Sequence, residues 1–198
     1  MKGHEYARAQ VKTHLAATVG TRLAAIRAAL SVSTPTNPAA GAYLLADALP
    51  TDPNLYPAVV VMSTGAPRIR RQSVTASGDS ADFIVVYDLR VVVACRVDSA
   101  GGEEAASRDR DRLLLAVRES LLGRANLPAD LEMVVGDLAE ETGAAAQDLR
   151  GRPLAAGQVT FSVAVLETLA ASPAPDALEE SEIDMTGYGR DVDDITPN

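Results

Sequence analysis

From Phe83 to Val97 every second residue is apolar or aromatic: Phe83, Val85, Tyr87, Leu89, Val91, Val93, Cys95 and Val97. The residues between them, Ile84, Val86, Asp88, Arg90, Val92, Ala94 and Arg96, include three charges. A period of two predicts a β-strand with one dry face and one mixed face, over 82–97. Such a strand is long, since an ordinary one runs about 5–6 residues.

Elsewhere the period is helical. Val11, Leu15, Val19, Leu23, Ile26 and Leu30 form one stripe at spacings of three and four, which predicts an amphipathic helix over 5–30. The prolines of Ser31–Pro38 are expected to stop it. Residues 39–56 read as a loop with a short helix over Ala42–Leu49. The β-branched run Tyr56–Ser63 predicts a buried strand, and Gly65-Ala66-Pro67 a turn. A short strand over 72–77 would pair with 82–97 as a hairpin across Ser77-Gly78-Asp79-Ser80.

A second helix is expected over Glu103–Leu122. Its acidic start suits the positive end of the helix dipole, Leu113, Leu114, Val117 and Leu121 form its buried stripe, and Gly123 is a natural C-terminal cap. Arg108, Asp109, Arg110, Asp111, Arg112, Arg118 and Glu119 are expected to cover its other faces. Residues 131–138 read as a strand, 139–156 fit no single period, and Val159–Leu166 alternate as a last strand. The order predicts an α+β fold: a small, mostly antiparallel sheet flanked by two helices, with an extended acidic C-terminal tail. The expected division is a domain over 1–171 and an extension over 172–198.

Charge sharpens this division. Residues 1–130 hold 15 basic and 13 acidic side chains, and residues 131–198 hold 3 and 14. An acidic chain is a poor general binder of nucleic acid, whose phosphates require a basic surface. No apolar run approaches the ~20 residues of a membrane helix, and the start of the chain has no apolar signal block; the expectation is a soluble protein made in a cytoplasm. The single cysteine, Cys95, lies on the dry face of the long strand and reads as a small buried hydrophobe.

Catalytic patterns are scarce. His4 and His14 lack the i, i+4 spacing of a metal pair and read as surface residues. One cysteine rules out a cysteine zinc cluster. No G-x-S-x-G, phosphate loop or dinucleotide fingerprint occurs, and Asp191, Asp193 and Asp194 lack the glycine and glutamate of a calcium loop. The expectation is no enzyme, no catalytic residue, no cofactor and no metal. Two arginine groups remain. Arg68, Arg70 and Arg71 are expected on a turn, either solvated or touching an acidic surface on a neighbouring copy or DNA passing nearby. Arg108, Arg110 and Arg112 alternate with aspartates, as a solvated face or as a subunit interface laced with ion pairs.

The order and texture of these elements resemble the tail terminator, or tail completion, proteins of long-tailed bacteriophages. The resemblance covers roughly residues 5–170. It is carried by the Val11–Leu30 stripe, the strand Tyr56–Ser63, the run Tyr87-Asp88-Leu89-Arg90-Val91-Val92-Val93, the helix segment Arg108–Arg118 and the strand Gly157–Val163. It implies a structural virion protein, assembled in the host bacterial cytoplasm, that forms a ring of six copies. The ring caps the head-proximal end of the tail tube, stops tube polymerisation and offers a docking surface to the head–tail connector. The implied partners are other copies, the tail tube protein and connector or neck proteins, with DNA only as cargo through the lumen and no membrane. Other neck, tube or baseplate components, and the caps of contractile injection systems, share this texture. The acidic extension departs from the pattern and would reach a neighbour or the connector.

Overall fold

A computed structural model describes residues 2–74, 80–97, 102–123, 131–143, 146–147 and 152–170. The turn expected at 77–79, the sheet break at 98–101, part of the ambiguous stretch 139–156, and the extension 172–198 lie outside the described residues. The fold is α+β, with two helices and a mixed six-stranded sheet.

Helix α1 runs Gly3–Leu30 and buries Ala7, Val11, His14, Leu15, Val19, Leu23 and Ile26. Leu30, expected in that stripe, is the last helical residue and is 56% exposed. The helix stops before its prolines. Ser31 takes the left-handed conformation, and its N–H and that of Val32 bond back to Ala28 and Arg27.

The expected helix at 42–49 is absent. A single 3-10 turn at Ala40–Ala42 leads into strand β1 (Tyr43–Leu45), which pairs parallel with Val59–Val61. Strand β2 (Ala58–Val74) does not end at Gly65-Ala66-Pro67. Those three residues stand opposite Tyr87 alone, as a bulge between the pairs Thr64↔Asp88 and Arg68↔Val86. Gly65 adopts φ +71°, a conformation glycine takes without strain. The bulge adds two residues, so the inward and outward parity of β2 is the same on both sides of it. The arginines at 68, 70 and 71 therefore lie on a strand and not on a turn.

Strand β3 (Ser80–Arg96) pairs with β2 and, over its whole length, with β6 (Pro153–Ala170). Strand β4 (Leu131–Thr142) pairs with the outer side of β6, broken by a bulge between Val134 and Ala139, and β5 (Ala146–Gln147) continues that lane. The order is β1-β2-β3-β6-β4, antiparallel except at β1.

The alternation in β3 sorts most of its residues as expected; Phe83 and, just past the strand, Val97 are only half-buried, and Ala94 of the mixed face is buried. Val85, Tyr87, Leu89, Val91, Val93 and Cys95 are buried in the core with Val159, Phe161, Val163 and Val165 of β6. Both helices cover this face. Helix α2 (Gly102–Gly123) contributes Leu113, Leu114, Val117 and Leu121. It comes so close to β6 that a Cβ at Gly157 would sit 3.2 Å from both Leu114 Cδ2 and Arg110 Cδ. The opposite face carries no described helix and holds Asp88, Arg90, Gln158 and Ser162.

Candidate assembly surfaces

The open face is polar and organised around the β2 bulge. Arg68 Nη2 donates to Asp88 Oδ1 at 2.7 Å and to Ser162 Oγ at 3.2 Å, while the Ser162 hydroxyl donates to the same Asp88 oxygen at 2.7 Å. Three strands are thus clasped just beyond the point where the bulge interrupts the ladder. The pair is partly solvated, so it contributes at most about 1 kcal/mol. Arg70 shares this face by register and is exposed. Arg71 lies opposite Phe83 in the ladder. Further along the open face, Arg90 makes long contacts, 3.4 Å each, to Gln158 Oε1 and Met62 Sδ. Its Nε is buried with no partner among the described residues.

The second arginine group does not form one solvated face. Arg108 is exposed and reaches Glu104 at 3.6 Å. Arg110 is buried; it pairs with Asp111 at 2.8 Å and donates to the Gly143 carbonyl at 2.6 Å. Asp109, 9% exposed, accepts from Arg112 at 3.1 Å, and Arg112 also donates to Thr34 O and Oγ1. Arg110 and Arg112 therefore tie α2 to the β4–β5 lane and to the segment after α1. Arg27, Arg108 and Arg112 line a shallow cleft of about 600 Å3 between the two helices.

Two buried polar links escape the sequence patterns. His14, expected at the surface, is 2% exposed, and its Nε2 lies 2.8 Å from the Ser120 carbonyl, joining α1 to α2. A carbonyl can only accept, so the ring proton sits on Nε2. A signal for its burial exists: position 14 falls between Val11 and Leu15 on the inward stripe. His4, half-buried, stands edge-on to Tyr87 with ring centroids 4.7 Å apart.

At the start of α1, the Tyr87 hydroxyl donates to Glu167 Oε1 at 2.8 Å, and the Gly3 N–H reaches the same oxygen at 3.4 Å. Burial pushes the Tyr87 phenol up to about 12, with the Glu167 hydrogen bond and charge adding to it. Burial also works to raise the Glu167 carboxyl. The Tyr87 hydroxyl and the Lys2 and Gly3 N–H groups outweigh it and hold that carboxyl below its ordinary range. Burial, with the Asp109 charge next, raises the Cys95 thiol far above its ordinary value, which keeps it protonated and inert.

Among the described residues, no group of three or more His, Cys, Asp or Glu side chains is gathered for a metal ion. No described helix is long and apolar enough to cross a membrane.

The sheet edges are the remaining surfaces. Among the described residues, β1 pairs with Val59–Val61 of β2, and no described strand pairs with the outer side of β2 beyond them. No described strand pairs with the outer side of β4. Among the described residues, this is an α+β unit with both helices on one face of the sheet, no described helix on the other, and no described strand against the outer sides of β4 and of β2 beyond Val61. No protein-family model matches the chain, and no curated protein matches it.

Proposed function

We propose that this chain is the subunit of a closed ring of six copies that caps the head-proximal end of a bacteriophage tail tube. There it halts tube polymerisation and presents the surface on which the head docks. The observation that carries this reading is a pair of edges at opposite sides of one sheet, that of β2 beyond Val61 and that of β4, against which no described strand pairs. An open edge is a template for pairing with another chain. Two different edges make a head-to-tail contact, and such contacts give a ring when the rotation closes.

Termination then follows from asymmetry. The two ends of each subunit differ: one carries the β2–β3 hairpin and the start of α1, the other the α1 terminus and the start of α2. A ring built this way has unlike rims, so one can match the last tube layer while the other offers the next layer no site. The partners are further copies, the tail tube protein and the connector, with DNA passing through the lumen; the work is assembly, with no catalytic step.

The test is to add the purified protein to its polymerising tube subunits and measure tube lengths by electron microscopy. Short tubes whose length falls with added protein support the reading. Tubes of unlimited length beside intact rings place the protein elsewhere in the neck, tube or baseplate.

A further inference from the structure

The two open edges carry opposite charge. Strand β2 holds three arginines, Arg68, Arg70 and Arg71, and no acidic residue. Strand β4 holds four acidic residues, Glu132, Asp137, Glu140 and Glu141, and no basic one; Glu140 is paired with Arg118 of α2 at 2.9 Å and Glu141 accepts from Gln158, so Glu132 is the acid the joint uses. We propose that these edges bind each other between copies, the β4 edge of one subunit seating on the β2 edge of the next. This rests on the ring reading above and specifies its joint.

Three features support this pairing. The first is direction. Strand β6 runs antiparallel to β3, as does β2, and β4 runs antiparallel to β6. Strand β4 is therefore antiparallel to β2 within one sheet. Copies arranged around an axis along the strands keep their directions, so β4 of one copy meets β2 of the next antiparallel, which is the more stable pairing.

The second is level. The ladder Arg68↔Val86↔Ala164↔Glu132 crosses the whole sheet in one row. Arg68 and Glu132 thus stand at one height, on the open face, at opposite edges. In a level ring Glu132 arrives beside Arg68 of the neighbour, with Arg70 one step beyond. Glu132 and Arg70 are both exposed.

The third is what limits the contact. Strand β1 occupies the rows of Val59–Val61, which are the rows of Glu140–Thr142 on the other edge. The bulge at Gly65-Ala66-Pro67 breaks the free ladder, and Pro67 offers no N–H. Interrupted edges of this kind resist indiscriminate strand addition, so the charge match selects the partner. Like charges brought together at such a joint oppose it, so two β2 edges or two β4 edges do not associate.

The experiment is a charge exchange on the full chain. Arg70→Glu and Glu132→Lys are made separately, and both positions are exposed, so each subunit keeps its core. Unchanged circular dichroism and unfolding midpoints check this. Light scattering then measures assembly. Each variant alone needs about tenfold or more protein to assemble to half the extent of wild type. Mixing the two restores assembly, because the reversed residues meet each other at alternate joints and native residues meet at the rest. Variants that assemble as well as wild type, or a mixture that stays dispersed, overturn the joint while a wild-type ring leaves the ring reading standing. Wild-type protein that remains monomeric at millimolar concentration overturns both.

Discussion

Arg108, Arg110 and Arg112 look interchangeable in sequence, yet their replacement by alanine should have three different effects. Arg110 is 7% exposed, and its guanidinium donates at 2.6 Å to the Gly143 carbonyl. Losing a hydrogen bond from a charged donor costs about 1.5–3 kcal/mol. Its stem packs against β6 at Gly157, and two buried methylenes contribute about 0.8 kcal/mol each. The Asp111 partner is 56% exposed and recovers water, so that pair adds little. Arg110→Ala should therefore destabilise the subunit by about 3–4 kcal/mol. Arg110→Met keeps the stem and loses only the polar bond, for about 2 kcal/mol. Arg112→Ala strands the buried Asp109 carboxylate, at about 2–3 kcal/mol. Arg108→Ala, exposed and 3.6 Å from Glu104, should change stability by less than about 0.5 kcal/mol. Urea unfolding followed by circular dichroism, at fixed protein concentration, reads all four. If Arg108→Ala proves as costly as Arg110→Ala, or Arg110→Ala is neutral, the assignment of Arg110 to the interior is wrong.

Gly157→Ala should destabilise by about 1–3 kcal/mol, because the new methyl meets the Glu141 carbonyl at 3.3 Å and two side chains at 3.2 Å; a neutral result in the same unfolding assay would mean that α2 can move off β6. The Tyr87–Glu167 pair should shape stability at both pH extremes. The Glu167 carboxyl is held below its ordinary value, so its contribution is complete above about pH 4.3 and is lost as pH falls through the lower folded value. The Tyr87 phenol is raised from 10.0 to about 12, so its contribution is complete below pH 10.0 and is lost between there and about 12. Glu167→Gln should flatten the acid limb of unfolding midpoint against pH, and Tyr87→Phe the alkaline limb; unchanged slopes in these variants would remove the pair from the account.

Periodic signals carried much of the fold. The α1 stripe and the alternation of β3 specify which residues face inward, because each period is repeated many times and both faces have a clear destination. Non-local pairing decided the rest. Gly65-Ala66-Pro67 has the composition of a turn, and only the ladder with Asp88 and Val86 across the strand makes it a bulge. Strand β1 is three residues long and exists because Val59–Val61 offer it an edge; nothing within 43–45 announces it. The alternating charges at 108–112 read as a solvated face or an ion-paired subunit interface, since each has an opposite neighbour. The buried state of Asp109 and Arg110 depends on Thr34 and Gly143, distant in sequence.

The candidate surface was legible in part. Arg68, Arg70 and Arg71 stand out in the sequence as a charged turn, solvated or meeting an acidic surface or DNA, and the structure puts all three on strand β2. The acidic residues Glu132, Glu140 and Glu141 carry no pattern in the sequence; only the strand order puts them at the far side of the same sheet. Arg90, the half-buried cation at the centre of the open face, was hidden inside the alternation of β3 as one more polar position.

The proposed function asks of the molecule self-association through dissimilar edges. Electron microscopy of the purified full-length chain, with class averages of end-on particles, addresses that most directly. Closed annuli of six subunits, each contacting its two neighbours through different surfaces, are the predicted result. Particles the size of one subunit, or two-fold pairs joined by the same edge on both sides, would contradict it.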